Sequence, residues 1–424
     1  MLRTTDTPRF MISVNDRDYK TSGTCAIAIC LDGCEPEYLE RAIDAGLMPV
    51  LKRIRAEGSD RLAHSVIPSF TNPNNLSIAT GRPPSVHGIC GNYLIDPDTG
   101  DEVMMNDPKF LRAQTVFSAF YDAGKRVAIV TAKDKLRSLL GHGLGFDDDR
   151  AVCFSSEKSD TTTKAQHGID NASQWLGLPV PEVYSAELSE FVFAAGVKLL
   201  SSFKPDLMYL TTTDYVQHKY APGDPDANAF YAMFDRYLGQ LDDAGAAIVV
   251  TADHGMKPKH LTDGSPAVVY LQDHLDQWLG ADSSRVILPI TDPYVVHHGA
   301  LGSFATVYLN DATTTDTVVK QLQELDGILS VMNRADACEQ FELPADRMGD
   351  IVVISGENMT VGTSEHRHDL AALNEPLRSH GGLTEQVVPF IVNRDMPSLG
   401  EAPGLRNFDA LRVACAAAAM ETQS

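Results

Sequence analysis

Basic residues are scarce. Lys and Arg number 35 against 57 Asp and Glu, a formal net charge of −22, and a field of that sign repels nucleic acid and anionic membrane at long range. Neither is expected as a partner. A small anion stays admissible where metal ions or a few focused lysines reverse the sign inside one cleft. Long apolar runs are missing as well. No stretch approaches the roughly 18 to 20 residues of a membrane span, and "MLRTTDTPRFMISVNDRDYK" holds no apolar signal-peptide core. The expectation is a soluble, cytoplasmic protein. Paired cysteine knuckles are absent too: Cys25, Cys30, Cys34, Cys90, Cys153, Cys338 and Cys415 form an odd, scattered set that suits thiols in a reducing compartment better than a disulfide framework. With 43% apolar and 22% charged residues and no low-complexity tract or fixed-period repeat, nothing points to disorder.

What is present is a large α/β pattern. At 424 residues the chain exceeds the roughly 250 to 300 at which a single core stops growing, so a large domain carrying a smaller one is expected. "TCAIAICLDG", "RVAIVTA", "PDLMYLTTTD" and "AAIVVTADHG" are short continuous apolar runs ending in polar residues, the mark of strands buried on both faces. Helical stretches separate them: "EPEYLERAIDAGLMPVLKRIRAEG", "AELSEFVFAAGVKLLSSF" and "ANAFYAMFDRYLGQLDDAG". The alternation predicts a doubly wound, mostly parallel sheet flanked by helices. From 257 to 374 the rhythm turns to mixed strands and short helices, as in "FATVYLN", "DTVVKQLQELDG" and "DIVVISG", before "RSHGGLTEQVVPFIVN" adds another strand. A core of 21–256 plus 375–424 with an inserted α+β cap at 257–374 is therefore expected.

In such sheets ligands bind beyond the carboxyl ends of the strands, and those ends carry Asp32, Lys133, Asp214, Asp253 and His254. Asp32 followed by a glycine would, alone, be an ordinary turn. Asp214 and His218, four apart, can share one helix face, and carboxylate with imidazole suits a borderline divalent ion such as zinc. Asp253 and His254 close a buried strand, where two such polar side chains need partners. "SHGG" supplies His380 beside glycines that allow close backbone approach. "SFTNPNNLSIATG" reads as a helix entry, with a hydroxyl or amide cap ahead of Pro73 and Thr71 at the positive end of the helix. Two divalent cations would balance Asp32, Asp214, Asp253 and a deprotonated Thr71, and two metals form a clamp for displacement at phosphorus.

The segments "CLDG", "PSFTNPNNLSIATGRPPSVHGICGN", "TTTDYVQHKY", "TADHGM" and "SHGG", in this order, resemble the alkaline phosphatase superfamily, especially its nucleotide pyrophosphatase/phosphodiesterase-like branch. The resemblance implies an alkaline-phosphatase-like fold and two Zn2+ ions, one held by Asp214, His218 and His380, the other by Asp32, Thr71, Asp253 and His254. It implies a phosphothreonine intermediate on Thr71, with Asn92 and His218 also contacting the substrate. Within the branch, "VTAKDKLRSLLG" is similar to members that break a carbon–phosphorus bond. Expelling a carbanion is tolerable only where an adjacent carboxylate takes the charge, and Lys133 and Lys135 would stabilise it there. The expected substrate is a small anionic phosphonate. The competing expectation is a phosphodiesterase or nucleotide pyrophosphatase of the same fold, for which Tyr270, Trp278, Tyr294 and Phe304 of the insert could stack a base. A homo-oligomer is compatible with either.

Overall fold

Runs of five residues with no exposed member form the centre of the protein. The computed structural model describes residues 11–292, 299–370, 373, 375–397 and 404–420. In chain order these contain β1 (Ala26–Cys30), α1 (Pro36–Asp44), α2 (Pro49–Glu57), β2 (Ser59–His64), α3 (Thr71–Thr80), β3 (Val127–Thr131), α4 (Asp134–Leu140) and β4 (Ala151–Ser155). There follow α5 (Glu187–Ser202), β5 (Leu207–Thr211), α6 (Tyr215–Lys219), α7 (Pro225–Asp243) and β6 (Ala247–Thr251). β1, β3, β4, β5 and β6 are buried at every position, as parallel strands covered on both faces must be. They pair in parallel, β6 to β1, β1 to β5, β5 to β3 and β3 to β4.

Beyond β6 lies a second sheet of β7 (Ser284–Ile287), β8 (Phe304–Leu309), β9 (Ile328–Asn333) and β10 (Ile351–Ser355), with α8 (Thr315–Gln323) and α9 (Arg334–Phe341). Its order is β7-β8-β10-β9, antiparallel throughout. The chain then returns with β11 (Val387–Val392) and α10 (Ala410–Ala418). β11 lies between β6 and β2, antiparallel to both, so the central sheet reads β2-β11-β6-β1-β5-β3-β4.

The α/β expectation holds, with two local differences. The single helix expected over 35–58 is two, because Gly46 adopts a left-handed φ of 75° after α1 and Pro49 opens α2. β2, "SDRLAH", carries too little apolar residue to announce itself; it is an edge strand whose Leu62 is exposed. Among the described residues no helix is long and apolar enough to cross a membrane.

The chain passes between the two sheets through paired segments, Lys257–Pro258 running antiparallel to Arg378–Ser379. Beside them the Lys259 ammonium is buried, donating to Glu385 Oε1 at 2.9 Å and to the Glu357 carbonyl at 2.6 Å. Glu385 Oε2 accepts from the Gly382 N–H at 2.9 Å. Removing one member of a buried pair strands the other charge, so Lys259→Met should cost about 3 kcal/mol or more in denaturant unfolding, and adding Glu385→Gln should recover part of it. An unchanged midpoint in the single variant would show that water already solvates the pair.

Candidate metal centre

The carboxyl ends of β1, β5 and β6 are adjacent, which brings Asp32, Asp214, Asp253 and His254 to one edge. Asp32 is followed by Gly33 with a φ of 69°, where a Cβ would stand 3.0 Å from the Asp214 Cβ; a side chain there would drive the carboxylates apart. Asp214 precedes the short helix α6, which presents His218 one turn later. His380 arrives from the paired crossing segment. Gly381 after it has a φ of 121°, and a Cβ there would collide with the Phe70 ring.

Thr71 is the first residue of α3 and Phe70 its N-cap, with no side-chain capping bond. The expected hydroxyl or amide cap is thus not made. The Thr71 hydroxyl instead faces the site, its Oγ1 3.4 Å from His254 Nε2.

The three histidines are held alike. Nδ1 of His218 lies 2.7 Å from the Arg378 carbonyl, that of His254 2.9 Å from the Gly255 carbonyl, and that of His380 2.8 Å from the Ser69 carbonyl. A carbonyl only accepts, so each Nδ1 donates to it and each ring turns its Nε2 inward. Those Nε2 atoms meet carboxylates: His218 at 2.8 Å and His380 at 3.6 Å from Asp214 Oδ2, His254 at 3.3 Å from Asp32 Oδ1 and 3.7 Å from Asp253 Oδ2. Ring nitrogens and carboxylate oxygens thus converge as the donor atoms of a cation site do.

Among the described residues, two groups hold potential ligand atoms that all lie within 4.8 Å of one another: Asp214, His254 and His380, and Asp32, Asp253 and His254. His254, expected with the second ion alone, belongs to both. Its ring also stacks on His380, centroids 3.6 Å apart and planes 5° off parallel, so both rings cannot comfortably be cationic. Burial, with the neighbouring His254 ring, pushes His380 well below the usual imidazole range. Burial and the carboxylates of Asp214 and Asp253 push Asp32 well above the carboxylate range. Asp32 Oδ1 is also buried with no hydrogen-bond partner among the described residues.

These observations fit metal. Imidazole nitrogens, carboxylates and a hydroxyl suit zinc-like divalent ions, and backbone carbonyls on the outer ring nitrogens are the support such ligands need.

Asn92, expected at the phosphoryl group, sits in a backbone junction, its N–H on the Pro289 carbonyl at 2.7 Å and its amide 3.4 Å from the Ile290 carbonyl. Lys133 is half-buried, its ammonium 5.3 Å from the centre of the Tyr184 ring. Burial lowers its pKa against the opposing fields of Glu157, Asp214, Asp292 and Asp32. Lys135 is clamped by both oxygens of Asp292 at 2.8 Å. Of the insert aromatics, Phe304 is fully buried edge-on to Phe70, Trp278 lies against His274 and Tyr270 against His368. Tyr294 lies outside the described residues.

Two contributors went unread in the sequence. Tyr184 packs against Tyr215 as well as Lys133. Arg378, buried, donates to the carbonyls of Gln217 and Met256 and to the Tyr38 hydroxyl while its own carbonyl holds His218. No local pattern marks such residues, because every partner is distant in sequence.

Dialysis against a chelator should lower the melting temperature, and refilling with Zn2+ should restore it with saturation near about two ions per chain. Ions that bind without moving the melting temperature would have to sit elsewhere.

The type I phosphodiesterase / nucleotide pyrophosphatase family model matches residues 26–383. The crystal structure of phosphonoacetate hydrolase from Sinorhizobium meliloti 1021 in complex with phosphonoacetate is 72% identical, with a TM-score of 0.94 over 97% of this chain and 100% of that one. Murine ectonucleotide pyrophosphatase/phosphodiesterase 5, 18% identical, shares the fold with a TM-score of 0.60 over 92% of this chain and 94% of its own. Human ectonucleotide pyrophosphatase/phosphodiesterase family member 1 is 24% identical over 241 residues, 54% of this chain and 23% of that protein; the match spans under a quarter of that relative's length. With its metal-type cluster on the sheet edge and the family match running from β1 past His380, the chain belongs to the type I phosphodiesterase / nucleotide pyrophosphatase family.

Proposed function

We propose that this chain is a di-zinc hydrolase that cleaves the carbon–phosphorus bond of phosphonoacetate, yielding acetate and phosphate through a phosphothreonine on Thr71. The observation that carries this reading is the near-complete match to a phosphonoacetate hydrolase whose structures hold phosphonoacetate and phosphonoformate. In this reading 21–256 and 375–424 form the catalytic core, 257–374 the cap, and the enzyme works in the cytoplasm with its seven cysteines as free thiols.

Asp214, His218 and His380 would hold one ion and Asp32, Asp253, His254 and Thr71 the other, with His254 close enough to serve either. Bound there, the ions supply the Lewis acidity that lowers the pKa of a threonine hydroxyl and offsets phosphoryl charge. Thr71 Oγ1 forms a bond to phosphorus as the carbon–phosphorus bond breaks. The released electron pair spreads from the methylene carbon onto the carboxylate as an enolate, and protonation gives acetate. Water then cleaves the new phosphorus–oxygen bond, releasing phosphate and returning the Thr71 hydroxyl. Asn92 would donate to a phosphoryl oxygen, after its amide turns from the Ile290 carbonyl.

Lys133 and Lys135 would meet the substrate carboxylate. Lys133 already lies in the field of Asp214 and Asp32; Lys135 would exchange Asp292 for the substrate. The family match favours a second reading, hydrolysis of phosphodiesters or pyrophosphates, which would use the same metals and Thr71 but not the lysines.

Phosphate release from phosphonoacetate, run beside a nitrophenyl phosphodiester with a chelator control, separates the two readings: preference for the diester would overturn the first. Thr71→Ala should keep both metals and lose about a thousandfold or more in turnover, and near-normal turnover would remove Thr71 as nucleophile. Lys133→Ala and Lys135→Ala should each lower kcat/KM for phosphonoacetate about tenfold to a hundredfold while sparing a neutral aryl phosphate ester. Equal losses on both substrates would assign the lysines to the fold or the phosphoryl group.

A further inference from the structure

Asn75 lies one turn into α3, fully buried, with all its hydrogen-bonding capacity in use. Its Nδ2 donates to the Thr71 carbonyl at 3.0 Å and to Asp253 Oδ2 at 3.2 Å. Its Oδ1 accepts from the Tyr209 hydroxyl at 2.7 Å and the Thr211 hydroxyl at 3.0 Å. The Thr71 carbonyl can only accept, so the amide nitrogen must face it and the oxygen must face the hydroxyls. No other side chain of this size both donates twice and accepts twice.

Asp253 completes the argument. Its Oδ1 already accepts two backbone N–H groups, from Gly33 at 3.2 Å and His254 at 3.0 Å. Oδ2, which takes one hydrogen bond from Asn75, is the oxygen turned toward His254 Nε2. One amide therefore sets the direction of the carboxylate oxygen available to an ion and ties it to the helix turn that begins with Thr71. The neighbouring Asn74 does something different: its side chain bonds Asn407 and the backbone of Val66, Pro68 and Phe70, and no site residue.

We infer that Asn75 is a positioning residue that fixes Asp253 for metal binding and keeps that ligand in register with Thr71. The inference rests on the reading of Asp253 as a metal ligand and Thr71 as the nucleophile. Outer-sphere partners of ligands commonly govern about tenfold to a hundredfold in metal affinity, and Asn75→Asp keeps the shape while setting a second carboxylate against Asp253. Thr211→Val, which removes one hydroxyl that orients the amide and touches no ligand, is the milder companion.

The test is Zn2+ competition against a chromogenic chelator on the full chain, with circular dichroism to confirm folding and kcat and KM measured separately. Asn75→Asp is expected to weaken one zinc site about tenfold to a hundredfold and to lower kcat with KM little changed; Thr211→Val should move both in the same direction by less. A folded Asn75→Asp protein with wild-type affinity at both zinc sites would overturn the inference. Should Asn75→Asp fail to fold, wild-type zinc affinity in Thr211→Val would overturn it equally. The chelator readout involves no substrate, so a wild-type protein inactive on phosphonoacetate would sink the functional reading and leave this one standing.

Discussion

Three carboxylates and three imidazoles converge at one edge of the central sheet, and their order depends on carbonyl groups that stand behind the rings. Each histidine commits Nδ1 to the backbone of a different loop, at Arg378, Gly255 and Ser69. That commitment fixes each ring's orientation and turns every Nε2 toward a carboxylate. The parallel strands, the opening of α3 and the glycines at 33 and 381 all serve to bring those carbonyls and carboxylates within reach. Without cations the arrangement is electrostatically expensive, visible in the raised Asp32 and the depressed His380. Divalent ions would offset that cost.

The parts of this design set by local patterns could be read in advance. β1, β3, β5 and β6 are continuous apolar runs, and the rule that ligands gather beyond their carboxyl ends located Asp32, Asp214, Asp253 and His254 without a structure. β2 escaped because an edge strand can be polar, and the break between α1 and α2 needed a glycine and a proline to be weighed together. The outer layer escaped for a deeper reason. Asn75 matters through Tyr209, Thr211 and Asp253, and Arg378 through Tyr38, Gln217 and Met256; those pairs become neighbours only on folding.

The same limit applies to the two lysines after β3. Lys133 and Lys135 are two residues apart in sequence, yet one lies against Tyr184 and the other is gripped by Asp292. Spacing alone makes them equivalent, whereas their surroundings make them different. Phe304, open to base stacking on sequence grounds, is instead packing behind Phe70, which itself meets His380 edge-on.

The chain enters and leaves the second sheet through two short segments hydrogen-bonded to each other, Lys257–Pro258 and Arg378–Ser379. Such a narrow isthmus makes everything between them topologically a single closed loop on the core. Material there could lengthen, shrink or be replaced without rethreading one strand of the central sheet. Yet Arg378 on this isthmus also supports His218, and His380 follows two residues later. A lineage could therefore remodel that loop while inheriting, at the junction itself, the backbone that orients His218 and His380.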